Sequence, residues 1–240
     1  MKLTNIIEIN AKLVLKTGLH IGAGDSEMHI GGIDNSVIKH PITQSPYIPG
    51  SSLKGKIRTL LEWRSGAVKN APLTLNEANG QNAEAVKNIL RLFGISGDSK
   101  NDKSAVEEIG VSRLAFWDCA LNPEWENAIR EDNQLLTEAK SENTIDRITA
   151  TAGNPRQTER VPAGAEFDFK LTLRQFEGDS PELLDLILKG LRLLELDSLG
   201  GSGSRGYGKV QFTEIEVIKK HKENEDNQKY KDLEHIKPFE

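Results

Sequence analysis

Phe167-Asp168-Phe169-Lys170-Leu171-Thr172-Leu173-Arg174 alternates apolar and polar side chains without a break. A period of two places every apolar group on one face of a strand. Ser180-Pro181-Glu182 then opens a helix, with a capping hydroxyl, a proline at the first helical position and an acid in the first turn. Leu183, Leu184, Ile187, Leu188, Leu191 and Leu194 follow the helical period. A glycine-rich loop, Gly200 to Gly208, leads into Val210 and Phe212, then Ile215 and Val217. These two pairs are out of phase by one residue, which predicts a strand with a bulge near Thr213.

The N-terminal half repeats the alternation of strand and helix. Ile9, Ala11, Leu13 and Leu15 alternate with Asn10, Lys12 and Lys16, which predicts a half-buried strand. Gly18 to Gly50 is too rich in glycine and proline for regular structure and reads as a long loop, of the kind that is usually functional. A helix follows, with Ser51 or Ser52 as its cap and Leu53, Ile57, Leu60 and Leu61 on one face. Ala83 to Phe93 is a second helical pattern, stopped by Gly94. Residues 96–108 are polar and read as a mobile connection. Val111 to Cys119 reads as a strand covered on both faces.

The order strand, helix, strand, strand, helix, strand predicts an α+β chain with the ferredoxin-like βαββαβ arrangement of RNA-recognition domains. One domain spans 1–218. Residues 144–162 form a projecting hairpin within an insertion, and 219–240 read as a solvated polar tail.

Composition narrows the function. The chain has 240 residues, 37% of them apolar, enough for a sizeable core. Cys119 is the single cysteine, which excludes an intrachain disulfide framework and a multi-cysteine zinc site; it reads as a buried small apolar residue. No apolar run approaches a membrane span, and the N-terminus lacks the apolar centre of a signal peptide, so the chain reads as cytoplasmic. The net charge of -5 argues against indiscriminate coating of nucleic acid. That total hides an asymmetry. Residues 1–70 carry nine Lys and Arg against five acids, a surplus of +4 that leaves -9 for the rest. Local sign decides where a polyanion sits.

Three segments could carry chemistry. Gly200-Gly201-Ser202-Gly203-Ser204-Arg205-Gly206-Tyr207-Gly208-Lys209 is neither a P-loop nor a dinucleotide fingerprint, because its lysine spacing is wrong and a strand follows it. Its glycines allow either a tight turn or close backbone approach to an anion; five exceed what a turn needs. Pro49 to Arg58 puts Ser51, Ser52, Lys54, Lys56 and Arg58 at a helix start, which reads as a phosphate site or as ordinary capping with a solvated basic face. Gly31-Gly32-Ile33-Asp34-Asn35-Ser36 holds one carboxylate in a glycine loop. Asp34 is a poor general base at neutral pH but a good ligand for a hard cation, and a simple Asx turn with Asn35 is the bland alternative. His20, His29 and His40 match no metal spacing, and Asp25 and Glu27 are ambiguous. Trp117 and Trp125 read as core or interface residues.

Together, GGIDNSVIKHPITQSPYIP (31–49), GSSLKGKIR (50–58), RITATAGNPRQTERVP (147–162) and GGSGSRGYGK (200–209) resemble the backbone subunit of type III-A CRISPR interference complexes, of the RAMP superfamily. The likeness covers roughly residues 5–218; the stretch 66–108 and the tail lie outside the close match. It implies a modified RNA-recognition fold and a filament of identical subunits along a CRISPR guide RNA, flanked by other type III-A subunits. It also implies cleavage of a complementary target RNA opposite each projecting thumb, here residues 144–162. Asp34 matches the family's catalytic aspartate and its ligand for Mg²⁺ or another divalent metal. Lys54, Lys56 and Arg58 match the family's guide-binding basic helix, His20 sits where the family's loop approaches RNA, and Ser51 and Ser52 at the same helix start are expected to bind RNA with them. Arg147, Arg156 and Arg160 map to the thumb, and Gly203, Arg205 and Gly206 to the glycine-rich loop. Two rivals remain: a non-cleaving RNA scaffold from a related CRISPR complex, and a small-molecule enzyme holding a nucleotide in the glycine-rich loop.

Overall fold

A computed structural model describes residues 2–24, 35–95, 107–220 and 225–239. Residues 25–34 and 96–106 lie outside them, and with them Asp25, Glu27, His29 and Asp34 and most of the polar connection.

Five antiparallel strands form the sheet: β1 (Leu3–Leu15), β3 (Leu114–Phe116), β7 (Glu166–Phe176), β8 (Val210–Lys220) and β9 (Glu225–Tyr230). Their order is β3-β7-β1-β8-β9. Without β9 this is the ferredoxin-like order, with the crossover helices α1 (Gly50–Ser65) and α4 (Glu182–Leu196). The alternation that opened the sequence reading is the reason. Phe167, Phe169, Leu171 and Leu173 are at most 2% exposed, and Ile9, Leu13 and Leu15 on β1 join them in the core. Leu53, Ile57 and Leu61 of α1 and Leu183, Ile187, Leu191 and Leu194 of α4 cover that face. The helices meet at Gly190, where a Cβ would stand 2.7 Å from Ile57 Cγ2.

The predicted bulge is present. Lys12 faces Thr213 and Asn10 faces Glu216, so β8 carries an extra residue there, and Glu214 turns to φ 53. Three local expectations are corrected. First, the strand from Val111 is shorter than the sequence suggested and lies at the sheet edge. It pairs only over Leu114–Phe116, and Trp117 is 53% exposed with its indole N–H donating to Thr172 Oγ1 at 3.1 Å. Cys119 and Ala120 form β4, which pairs with β2 (Tyr47–Ile48). Second, α1 begins at Gly50 behind Pro49, and neither serine caps it. The Gly50 N–H donates to Asp118 Oδ1 at 2.8 Å. Third, the chain beyond Lys219 is not a free tail. β9 pairs with β8, and Leu233 is 1% exposed in the core. A sheet edge tolerates polar side chains, so the composition of β9 imitates a solvated segment.

Within the insertion, α3 (Pro123–Glu131) is capped by Asn122, whose side-chain oxygen accepts from the N–H groups of Glu124 and Trp125. Trp125 packs half-buried against the core. A separate hairpin follows, β5 (Glu138–Ile145) and β6 (Ala152–Arg160). It starts six residues before the expected boundary, and residues 143–157 are all exposed. Between α1 and β3, α2 (Ala83–Phe93) packs Val86 and Leu90 against Leu73 and Ile109 in a small second core.

Candidate nucleic-acid interface

Asp34 lies outside the described residues, but the segments before and after 25–34 are bonded to each other. Gly22 bridges Val37, the Ala23 N–H donates to Ser36 O at 3.2 Å, and the Ile38 N–H donates to Ile21 O at 2.9 Å. Asn35, the next residue after Asp34, lies beside the hairpin: it bridges Thr158, and its carbonyl accepts from the Glu159 N–H at 2.9 Å.

Glu159 organises this neck. The residue is 4% exposed, and its carboxylate accepts from Lys39 Nζ at 2.5 Å, Thr137 Oγ1 at 2.6 Å and the Val37 N–H at 2.9 Å. Burial pushes its pKa up, but the Lys39 ammonium, the Thr137 hydroxyl and the Val37 amide outweigh that and hold it below the ordinary 4.5. Sequence reading passed over this residue, because a lone acid in a polar strand has no periodicity to mark it.

His20 stands against the same backbone. Its Nδ1 lies 2.7 Å from the Glu159 carbonyl, which can only accept, so Nδ1 carries a proton. In the neutral ring this leaves Nε2 as an acceptor. Leu19 and Val161 exchange backbone hydrogen bonds at 2.9 and 2.8 Å, and the His20 carbonyl accepts from the Gly201 N–H at 2.9 Å. Loop 18–22, the hairpin base and the glycine-rich loop therefore meet at one place.

The glycines of 200–208 are needed first for packing. At Gly208 φ is 73 and a Cβ would stand 1.8 Å from Leu199 O; at Gly200 φ is 74 and a Cβ would stand 2.3 Å from His20 O. The N–H groups of Gly201, Arg205, Gly206 and Gly208 all donate to backbone carbonyls. Those four are not offered to an anion, and the tight-turn alternative accounts for them. Gly203 opens a single 3₁₀ turn with Arg205, and Gly206 is exposed with φ 85 and open space around it. Tyr207, 2% exposed, is the buried anchor of the loop.

The cations divide into two groups. Lys140, Arg147, Arg156 and Arg205 line one groove of about 490 Å³ between the hairpin and the glycine-rich loop, with Glu142 the one acid among its lining residues. Arg160 instead pairs with Glu138 at 2.7 Å and crosses over Gly18. The residues at the start of α1 do not line that groove. Ser51 is exposed and Ser52 half-buried. Burial, then the neighbouring Arg58 charge, lowers the Lys54 amine below its usual 10.5. Lys54 has no ion-pair partner among the described residues. Lys56 pairs with Asp197 at 2.7 Å. Arg58 is committed inside the protein: it bonds Glu62 at 2.7 Å, Gly94 O at 3.1 Å and Leu73 O at 3.2 Å. Its guanidinium ties the α2 region to α1, so the shared basic face expected for Lys54 and Arg58 is reduced to Lys54.

Among the described residues no three His, Cys, Asp or Glu side chains converge on a metal position. Mg²⁺ commonly takes one or two carboxylates together with substrate phosphate and water, and a single loop carboxylate such as Asp34 fits that mode. Among the described residues no helix is long and apolar enough to cross a membrane.

Comparison with known proteins places this architecture. The profile of the RAMP superfamily matches residues 12–211. The protein called CRISPR system Cms endoribonuclease Csm3 from Streptococcus thermophilus is 45% identical over 218 residues, covering 88% of this chain and 89% of its own. Its namesake from Methanothermobacter thermautotrophicus is 39% identical over 221 residues, covering 87% and 84%. Among solved structures, a Csm3-Csm4 subcomplex of the type III-A CRISPR-Cas interference complex superposes with a TM-score of 0.60 at 27% identity, covering 98% of this chain and 95% of that one. A chain of the type III-B Cmr-beta complex bound to cognate target RNA shares the fold, with a TM-score of 0.58 at 16% identity over 90% of this chain and 61% of that one. With the ferredoxin-like sheet, the hairpin and the glycine-rich loop all in place, the chain belongs to the RAMP superfamily and, within it, to the Csm3 family.

Proposed function

We propose that this chain is the guide-RNA-binding backbone subunit of a type III-A CRISPR interference complex in the cytoplasm, and that it cleaves complementary target RNA at regular intervals. The observation that carries the reading is the likeness to proteins named as CRISPR endoribonucleases across most of both chains. Identical subunits stack along the guide beside other type III-A subunits. Sequence is then read by base pairing, while the protein holds backbone and shape.

The chain's own residues supply position. The basic groove of Lys140, Arg147, Arg156 and Arg205 faces the phosphates, with Ser51, Ser52 and Lys54 a second contact point. The exposed end of the hairpin opens the guide–target duplex. A base displaced there frees the adjacent ribose to bring its 2′-hydroxyl in line with the phosphorus. Attack forms the 2′-O–P bond, breaks the P–O5′ bond, and leaves a cyclic phosphate and a 5′-hydroxyl. Asp34 orients the attacking group; its neighbour Asn35 is held by the Glu159 N–H, and the Glu159 carboxylate holds Val37 and Lys39. A divalent ion held by Asp34 would supply charge stabilisation at the phosphate.

Asp34→Ala should abolish target cleavage by the assembled complex while guide binding and subunit stacking persist. Full cleavage by that complex would overturn the assignment. A wild-type complex that binds complementary RNA without cutting it would instead identify a scaffold. Chelation with EDTA should stop cutting and Mg²⁺ should restore it; undiminished cutting in EDTA would remove the metal from the proposal.

A further inference from the structure

The hairpin belongs to no part of the five-stranded sheet, so something must set its angle to the body. Two sets of contacts do. The lower one is the neck, where Thr137 bonds Glu159 and Leu19 bridges Val161. The upper one lies four residues along β5 from Glu138. The Tyr207 hydroxyl donates to Glu142 Oε1 at 2.9 Å, and Glu142 Oε2 pairs with Arg205 at 3.1 Å. Lys140 Nζ sits 4.3 Å from the centre of the Tyr207 ring, and the Arg160 guanidinium lies 5.2 Å from it. Glu142 is the last residue of β5 before a run of exposed positions.

Strand geometry converts this into leverage. At about 3.3 Å per residue, Glu142 stands roughly 10 Å from Ile145, where β5 ends and the tip turn begins. Without that contact the lever would start near Glu138 and extend about 23 Å to the same point. A given rocking angle would then sweep the end of the strand over about twice the distance.

We propose that Tyr207 and Glu142 form a latch that fixes the pitch of the hairpin, and so sets the nucleotide at which the target is cut. The inference rests on the cleavage reading above. Tyr207 and Glu142 are positioning residues that act through the hairpin; Glu142 also lines the basic groove, so Tyr207→Phe is the variant that isolates the latch. The buried ring is braced by two cations from the hairpin strands, and its hydroxyl spans to the carboxylate between them. Burial and Glu142 hold that phenol above its ordinary 10.0, so it remains a donor.

The experiment uses the assembled complex with end-labelled complementary RNA and maps cuts at single-nucleotide resolution. Tyr207→Phe keeps the ring and loses the hydroxyl. Glu142→Ala removes the acceptor from a partly exposed position, where folding is not at stake. Glu142→Gln retains a carbonyl oxygen for the phenol. In Tyr207→Phe and Glu142→Ala the ratio of in-register to neighbouring cuts should fall roughly tenfold, the worth of one charge-assisted hydrogen bond. Total target binding should be unchanged in Tyr207→Phe, which leaves the groove's charges as they are, and Glu142→Gln should recover most of the precision. Equally sharp cuts in both variants would overturn the latch, as would equal loss of all cuts with no spreading. If the wild-type complex does not cut, the cleavage reading fails and the latch fails with it. If the wild type cuts and the variants cut just as sharply, only the latch fails.

Discussion

Glu159→Ala tests how the loop neck is held. Its carboxylate is buried and accepts from Lys39, Thr137 and the Val37 N–H. Alanine leaves the Val37 amide without its acceptor in a protein interior, at about 1–3 kcal/mol. It also strands the Lys39 ammonium and the Thr137 hydroxyl, both of which water can partly reach, so a total near 3 kcal/mol follows. For a chain of this length each kcal/mol moves the melting temperature by about 2–4 °C. The expected loss is therefore roughly 6–12 °C, read by calorimetry or by far-ultraviolet circular dichroism. Glu159→Gln keeps one acceptor oxygen and should lose about half as much. The carboxyl titrates below its ordinary 4.5 in the folded state. Its contribution is thus complete above that pH and is lost as pH falls through the folded value. The gap between wild type and Glu159→Gln should stay constant from pH 8 to about 5 and close on further acidification. A gap under about 1 °C at pH 7, or one that widens in acid, would refute the reasoning.

Arg58→Ala should cost about 2–4 kcal/mol, because Glu62 is left buried beside two orphaned carbonyls; Lys54→Ala should cost little stability and should weaken guide binding with a shallower salt dependence. Melting curves and filter binding at several salt concentrations separate the two. Gly50→Ala would set a Cβ 2.5 Å from Phe116 O, a backbone atom that cannot swing away. It should lower the melting temperature by several degrees, from about 1–3 kcal/mol of overpacking, even though alanine favours helix.

Periodicity reached the strands and helices that bury one face. β7, β1 and α4 were legible because each apolar residue sits where a core needs it, and the phase slip after Phe212 announced the bulge at Glu214. Edges were harder. β9 shows most of its side chains to solvent, so its composition matched a free segment, and Tyr230, Leu233 and Ile236 tie this end of the chain to the core. At the site, residue type misled where a partner was distant in sequence. Arg58 looks like a phosphate contact until Leu73 and Gly94 are seen to claim it. The glycines of 200–208 look like an anion cradle until backbone approaches as near as that of Leu199 to Gly208 are seen to require them. Glu159 and Tyr207 carried no local signal, since their roles arise only when the hairpin folds back on the body.

The strand β9 also bears on the time before a subunit meets RNA. The outer edge of β8 would otherwise present a long row of unpaired amides and carbonyls, a template on which further chains could add without limit. β9 covers it and turns Asp226, Asn227 and Lys229 outward, while Lys229 and Asn227 are held to Glu216 at 3.3 and 2.6 Å. At the opposite edge β3 pairs over three residues, too short to recruit a stranger. β9 thus shortens the open edge on that side from eleven residues to six and lines it with charged and polar side chains.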